Sequence, residues 1–256
     1  VLFDPEEVSQ QLRTGLGLVQ RPRPAGVAGD LSASDRQIRR VLDSISEERM
    51  RSHVSALCAE PSRVVGYGGD RAAYEYIRWQ FHALGLQDVT SESFGVTVPI
   101  DRGGILTVEA TGEEIAVHCL WPNDVRTPSL PHEGVDGQLV DGGWGEFADF
   151  NDSPMDGSIV LMGFGCGQNY LNACALGARA IVFYDDGNVT RGEAEEKFLE
   201  VPVNVPRFWI DRAPVERLLE AARSGRTRVR LAARMDWDTV TARNVYGFLR
   251  GSDEPV

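Results

Sequence analysis

The chain has 256 residues, of which 42% are hydrophobic and 25% are charged, and its formal net charge is -12. These fractions are those of an ordinary globular protein, so they exclude wholesale disorder. No apolar run approaches the roughly 18 residues that a membrane-spanning helix requires. The acidic balance argues against nucleic acid as the main partner, because phosphate binding needs a basic surface. The length predicts one or two domains.

The first quarter of the chain predicts helices. Residues 4–15 predict a short helix, and the proline-rich and glycine-rich residues 20–34 predict an irregular linker. Residues 35–59 follow a helical period, in which Ser44 and Glu47 are a candidate capping box that starts a second helix.

A glycine-rich turn at residues 66–70 ends in Asp70, which we expect to cap the next helix. That helix ends at Gly85, and its apolar residues share one face: Ala73, Tyr76, Ile77, Phe81 and Leu84. Residues 88–99 predict an extended segment.

From residue 100 onward, glycines, prolines and acids separate short predicted strands at residues 105–109, 115–120, 137–140 and 158–162. A helix at 170–176 precedes an apolar strand at 180–184, whose continuous run predicts burial on both faces. Residues 186–200 predict a solvated acidic loop; they lack the ligand spacing of an EF-hand calcium site.

The last part of the chain predicts one more helix between extended segments. Residues 203–210 are extended, and Asp211 is expected to cap a helix that Gly225 ends. Strict alternation predicts a strand at 227–232, and residues 243–249 predict a last strand.

Residues that commonly carry chemistry are few. The four histidines, His53, His82, His118 and His132, do not share the spacing of a metal site. A Gly-x-Ser-x-Gly nucleophile elbow is also absent from the sequence. We therefore assign no catalytic, cofactor-binding or metal-binding residue in this chain.

The four cysteines, Cys58, Cys119, Cys166 and Cys174, are too few for a disulfide framework. They also lack the Cys-x-x-Cys spacing of a structural zinc site. We expect buried free thiols, and one or two disulfides are the alternative.

The sharpest local motif is the glycine-rich run at residues 163–168, which lies between a predicted strand and a helix. With Asp185 after the next strand, it imitates a dinucleotide fingerprint, in which glycines admit a pyrophosphate to a helix N-terminus. Gln168 occupies the place of the third glycine, so nucleotide binding through Gly163 to Gly167 is the weaker interpretation. A plain strand-to-helix turn is the stronger one.

Arg226, Arg228 and Arg230 share one face of a predicted strand, and Arg223 and Arg234 are near in sequence. Such a row would grip an anionic ligand. The favoured interpretation is a solvated strand face opposite the core residues Val229 and Leu231.

The order of these pieces resembles a known family. Residues 50–98, which contain "GYGGDRAAYEYIRWQFHALGL", resemble the N-terminal segment of di-zinc aminopeptidases and glutamate carboxypeptidase-like proteins. Residues 99–238 are similar to the protease-associated domain of those enzymes in the pieces "DGSIVLMGFG", "NACALGARAIVFYDD", "VPVNVPRFWI" and "LLEAARSGRTRVRL". The closing "TARNVYGFLRGSDEPV" is similar to the strand that returns to the peptidase domain.

The resemblance implies an α+β fold, with a swivelling β/β/α protease-associated domain after an N-terminal helical segment. It divides the chain into residues 1–98, which hold the helices and first strand of a peptidase-like domain, the protease-associated domain at 99–238, and a return strand at 239–256. It also implies zinc ligands that begin a few residues after Val256, so zinc belongs to the parent protein and no catalytic residue carries over. The Arg-Gly and Lys of many protease-associated domains are replaced here by "GFGCGQNYLNA", so no ligand role carries over either.

The function that the resemblance implies is the non-catalytic part of a zinc exopeptidase, which covers the active site and aids substrate access or protein contacts. The implied partners are the peptidase catalytic domain of the same protein, a peptide substrate and a second copy in a homodimer. The implied location is secreted or periplasmic. The alternatives are a stand-alone protease-associated binding or sorting module and, less favoured, the nucleotide-binding protein.

Two further expectations concern the ends of the chain and the strands near them. The first residue is Val1 and no signal segment follows it, so either a leader has been removed or the chain is a piece of a longer one. The resemblance implies that the strands near residues 88–98 and 243–249 belong to the sheet of the peptidase domain. We therefore predict an exposed or self-paired sheet edge at residues 243–249.

Overall fold

The structure, a computed structural model, describes residues 33–123, 125–151, 153–187, 189, 194, 197 and 202–251. The predicted helix at 4–15, most of the linker at 20–34 and most of the acidic loop at 186–200 lie outside those residues. The chain divides into two compact units, Val1–Ser55 and Ala56–Val256. Within the described ranges, no helix has the length and apolar character needed to cross a membrane.

The first unit contains helix α1 (Ala33–Asp43) and most of helix α2 (Glu47–Leu57). The predicted break between two helices is confirmed, but the Ser44 capping box is wrong. The Ser46 side chain, which immediately precedes α2, accepts a hydrogen bond of 3.2 Å from the Arg49 N–H, as an N-cap residue does. The Ser44 hydroxyl instead donates to the Val41 carbonyl at the end of α1.

The second unit is built on one closed barrel. The helices whose bounds are described are α3 (Gly68–Ala83), α4 (Tyr170–Ala175) and α5 (Val215–Arg223), with a 3-10 helix at Phe147–Phe150. Its strands are β1 (Gln87–Val108), β2 (Glu113–Cys119), β3 (Val135–Asp141), β4 (Ile159–Gly163), β5 (Ala180–Tyr184), β6 (Arg207–Ile210) and β7 (Arg228–Phe248). Around the barrel the order is β1-β2-β6-β5-β4-β3-β7. The four strands β3, β4, β5 and β6 run parallel, and the other pairs are antiparallel.

Strands β1 and β7 are much longer than the sequence predicts. The separate strands expected at 227–232 and 243–249 are one strand of 21 residues, because β7 pairs with β1 along nearly its whole length. The ladder extends from Gln87 opposite Phe248 to Val108 opposite Val229. The ladder satisfies the backbone groups of both strands along this length.

Beyond the barrel, the two long strands continue as a two-stranded ribbon, which comprises residues 87–101 of β1 and 235–248 of β7. In the described part of the chain, no third strand pairs with the ribbon, because β2 pairs only with residues 104–108 and β3 only with 228–231. The predicted exposed edge is therefore confirmed. Exposed apolar side chains accompany it: Phe94, Trp237, Tyr246 and Phe248.

The core explains the continuous apolar strands β4 and β5. Along β5, Val182 belongs to the apolar cluster that contains Leu218 of α5, whereas Phe183 belongs to the cluster that contains Tyr170 of α4. Because successive strand residues point to opposite faces, helices on both sides leave β5 no solvent face. The predicted burial on both faces is confirmed.

Two predicted helix caps are wrong. Helix α3 begins at Gly68, so Asp70 lies inside its first turn and Tyr67 precedes the helix without a side-chain cap. Helix α5 begins at Val215, and Asp211 is too far upstream to reach its first free N–H groups. The predicted end of α3 is confirmed, since Gly85 has a φ of 75° and closes the helix.

Candidate functional site

The glycine-rich turn after β4 is hydrogen-bonded to a carboxylate of the chain itself. The Gly165 N–H donates a hydrogen bond of 2.7 Å to Oδ2 of Asp186. At Gly163, an added Cβ would lie 2.7 Å from the same oxygen. The N–H that a pyrophosphate would use is therefore bound to an internal carboxylate, and the nearby acid is Asp186 rather than the predicted Asp185. These contacts favour the plain turn.

The predicted row of arginines faces solvent, and several arginines in and near it are paired with carboxylates. Arg230 Nε lies 2.7 Å from Asp136 Oδ1 across the β3–β7 pair, and Arg223 Nε lies 2.9 Å from Asp141 Oδ2. Val229 and Leu231 on the opposite face are fully buried, which confirms the predicted solvated face. The Arg230 guanidinium lowers the pKa of Asp136 through its hydrogen bond and charge. Surface pairs of this kind hold neighbouring strands in register and stabilise them weakly.

Two buried cationic side chains, Lys197 and Arg207, lie near Tyr170. The only lysine of the sequence, Lys197, is fully buried, and its ammonium lies 4.9 Å from the Phe164 ring centre and donates to the Gly167 carbonyl at 3.0 Å. Arg207 at the start of β6 is 3% exposed. Its side chain is hydrogen-bonded to Tyr170, and burial lowers its pKa. Its Nε and Nη1 atoms have no hydrogen-bond partner among the described residues. Nothing in the sequence pattern predicts either burial.

The cysteines are free thiols, as predicted. Cys119 and Cys166 are buried and Cys174 is partly buried, but Cys58 is exposed, so the expectation of burial is wrong there. Burial raises the pKa of Cys174 to about 11. Burial, followed by the charge of Asp101, also raises the pKa of Cys119.

The histidines do not come together. His53 and His82 are exposed on helices, and His118 Nδ1 lies 3.7 Å from Asp101 Oδ2. Among the residues that the structure describes, no group of three His, Cys, Asp or Glu side chains is placed to hold a metal ion.

A cavity of about 540 Å³ lies where the ribbon leaves the barrel. The small residues Gly103, Gly104, Ala232 and Ala233 are among those that line it. Its rim carries Arg102, His132 and Arg234. Arg102 is paired with Asp236 and Asp238, and Arg234 with Asp236. The lining of the cavity therefore combines charged and small side chains.

The same region, which we call the junction (residues 99–104, 129–132 and 233–236), has a β-bulge. Asp101 pairs with Met235 and Gly104 pairs with Ala233, so β1 has one extra residue between these pairs. The Asp101 carboxylate accepts from the Gly103 N–H at 2.8 Å and from the Cys119 N–H at 3.2 Å. These bonds tie the bulge to β2.

Two side-chain hydroxyls form hydrogen bonds with backbone groups at the outer edges of the junction. The Tyr67 hydroxyl accepts from the Asp101 N–H at 2.8 Å and donates to the Pro99 carbonyl at 3.3 Å. On the other edge, the Ser129 hydroxyl donates to the Met235 carbonyl at 2.6 Å and accepts from the Met235 N–H at 2.9 Å. Sequence reasoning missed both residues, because a single hydroxyl in a turn or loop follows no pattern.

Comparison with known proteins identifies the central part of the chain. Residues 135–218 match the protein family described as "PA domain". These residues, which run from β3 through most of α5, are therefore a protease-associated domain. No curated protein matches the chain in sequence.

Solved structures share the fold over most of the chain. A zinc aminopeptidase from Bacillus subtilis matches 80% of this chain with 19% identity and a TM-score of 0.54. The peptidase M28 precursor from Shewanella amazonensis SB2B matches 76% of this chain with 14% identity and a TM-score of 0.52. The chain spans about half the length of these structures, 47% and 48% respectively. The mixed α/β fold is thus shared with these two structures over most of the chain.

Proposed function

We propose that the chain is the non-catalytic N-terminal and protease-associated portion of a zinc-dependent exopeptidase. The observation that carries the proposal is the ribbon, together with the protease-associated domain at residues 135–218. The ribbon's edges pair with no further strand in the described part of the chain, and Trp237 and Phe248 on it are more than half exposed. Unpaired edges and exposed aromatic rings are what a sheet leaves when its neighbour is missing.

The partner that fits this surface is the peptidase catalytic domain of the same protein. In this proposal, α3 and the ribbon belong to the peptidase-like domain, which gives the division at residues 98/99 and 238/239. The barrel between these positions then lies beside the active site and aids substrate access or protein contacts. Its polar-rimmed cavity at the junction is the place where this chain would meet a peptide substrate.

Zinc in the parent protein would not be held by the residues described here. The Bacillus subtilis structure is of a zinc aminopeptidase, but the described side chains of this chain provide no group of three metal-binding residues. The residues present therefore do not fit the metal, and we assign no step of peptide hydrolysis to them.

The decisive experiment is to determine the coding sequence after the Val256 codon and to express the full reading frame beside the 256-residue chain. Hydrolysis of leucine p-nitroanilide is measured before and after treatment with EDTA and after zinc is restored. We expect a downstream His-x-Asp segment, zinc-dependent hydrolysis by the full frame and none by the chain alone. A stop codon directly after Val256, or a full frame without zinc ligands, would overturn the proposal.

A second candidate is a stand-alone binding module, which is favoured by the location of the whole cavity within this chain. It predicts a stop codon after Val256 and saturable binding of a short peptide, such as trialanine, by isothermal titration. If the isolated chain binds no peptide, this candidate is rejected.

A further inference from the structure

The orientation of the barrel relative to the ribbon depends on one pair of residues, Asp101 and Met235, which face each other in the β1–β7 ladder. On the ribbon side of this pair only two strands continue. A two-stranded ribbon is marginal by itself, and a β-bulge bends the strand that contains it. With nothing added, the junction would be the flexible point of the unit.

Backbone groups at and beside this pair are hydrogen-bonded to side-chain hydroxyls on both edges. Tyr67 bridges the N–H of Asp101 and the carbonyl of Pro99 on the β1 edge. Ser129 bridges the N–H and the carbonyl of Met235 on the β7 edge. A hydroxyl donates one hydrogen bond and accepts others, so each of these side chains supplies both bonds that a third strand would make.

The elements that present the two hydroxyls are themselves fixed. The Ser129 carbonyl accepts from Nη2 of Arg126 at 2.5 Å, and the N–H of Leu130 donates to the Ala233 carbonyl at 3.0 Å. Tyr67 immediately precedes α3, and Tyr74 on that helix bonds to Ser91 of the ribbon at 3.1 Å. Tyr67 is thereby attached to the ribbon, and Ser129 to the barrel.

We infer that Ser129 is a positioning residue that pins the barrel to the ribbon at Met235, and that Tyr67 is a positioning residue that holds the β1 strand of the ribbon beside helix α3 at the same pair. The junction is then a pinned joint, and a change in the angle between barrel and ribbon requires the Ser129 bonds to open. This inference rests on the junction geometry and does not depend on the proposed function.

Hydrogen exchange in the full chain tests the inference. The variants Tyr67→Phe and Ser129→Ala remove one hydroxyl each and leave the rest of the side chain in place. We expect the amide of Asp101 to exchange about five- to tenfold faster in Tyr67→Phe, and the amide of Met235 in Ser129→Ala, because each loses its acceptor. Amides of the barrel core, such as Val182, keep their wild-type protection, which also shows that the variants fold.

Matched controls remove hydroxyls that lie elsewhere. Tyr74→Phe loses a tyrosine bond to the ribbon away from the junction, and Ser224→Ala loses a serine bond at the end of α5. Ser129→Thr keeps the hydroxyl and is expected to restore slow exchange at Met235. If exchange at Asp101 and Met235 rises equally in the control variants, the Tyr67 and Ser129 hydroxyls do not protect these amides specifically, and the inference fails.

A distance measurement tests the motion directly. Spin labels at Thr241→Cys on the ribbon and Arg226→Cys on the barrel, in a Cys58→Ser background, report the angle between the two parts. We expect a broader distance distribution in the Tyr67→Phe/Ser129→Ala double variant than in the wild type. Equal widths in the two proteins would show that the hydroxyls do not pin the joint.

Discussion

The carboxylate of Asp186 accepts a hydrogen bond of 2.7 Å from the backbone N–H of Gly165, 21 residues earlier in the chain. This contact joins the end of β5 to the turn after β4, and it uses the donor that a nucleotide phosphate would otherwise need. The turn is therefore a structural element of the barrel.

Replacement of Asp186 by alanine is expected to lower the free energy of unfolding by about 1–2 kcal/mol, because the Gly165 N–H loses a charged acceptor. Urea denaturation measures the change. Asp185→Ala is the control, since among the described residues the Asp185 side chain accepts only from the N–H of Gly187 in an adjacent turn. Equal effects of the two substitutions would show that the Gly165 contact contributes no more to stability than the Asp185 contact does.

Arg207→Met is expected to change the free energy of unfolding by less than about 1 kcal/mol. The buried guanidinium is hydrogen-bonded to the Tyr170 side chain, whereas its Nε and Nη1 atoms have no partner among the described residues. An apolar side chain of similar length therefore removes a favourable hydrogen bond and an unsatisfied buried group together. Arg207→Ala is expected to destabilise the protein by about 2–4 kcal/mol, because it leaves a cavity. The exposed Arg212→Met is the control, with an effect below about 0.5 kcal/mol. Destabilisation by Arg207→Met as large as that by Arg207→Ala would contradict this balance.

The native protein is expected to have one rapidly reacting thiol at pH 8, Cys58, and four after denaturation. Only Cys58 is exposed, and the pKa of Cys174 is raised from 9.0 to about 11, so little thiolate forms there. Titration with a thiol-reactive dye counts them. Because the unfolded thiol ionises near pH 9 and the folded one near pH 11, stability is expected to fall between these values. Cys174→Ala should reduce that fall, and an unchanged pH profile would contradict the assignment.

The pKa of Asp136 is expected to lie below its ordinary value of 3.8, chiefly because of its hydrogen bond to Arg230. The folded state then favours the carboxylate, so this contribution to stability is present above the ordinary pKa and is lost as the pH falls through the lowered value. NMR titration of the carboxyl group measures it. Arg230→Gln is expected to return the pKa toward 3.8, whereas Arg226→Gln leaves it unchanged. A wild-type pKa at the ordinary value would refute the pairing in solution.

Local patterns predicted the parts of the fold that depend on neighbours in sequence. The helical period gave α3 and its end at Gly85, and the apolar run gave a β5 strand without a solvent face. The length of β7 was not predictable, because its residues gain their pairing from β1, more than 120 positions earlier. Helix starts failed at Asp70 and Asp211 for a different reason, since a capping residue type occurs near many turns that do not begin a helix.

The roles of the junction residues could not be predicted from the sequence, for a related reason. Tyr67 and Ser129 have no motif, and their role exists only once the edges of Asp101 and Met235 are brought beside them. The burial of Arg207 was also hidden, because an arginine in a predicted strand is ordinarily exposed. The family resemblance supplied the order of the elements, which no single motif carried.

The close approach of β1 and β7 at the barrel end has an evolutionary consequence. The N–H of Glu109 donates to the Arg228 carbonyl at 3.0 Å. The segment between these two residues therefore leaves the β1–β7 ladder and rejoins it at neighbouring positions. Topologically, the whole intervening module is the loop of a single long hairpin. A gene of this form can acquire, exchange or lose that module in one event, because a short turn from Glu109 to Arg228 would preserve every pair of the ribbon.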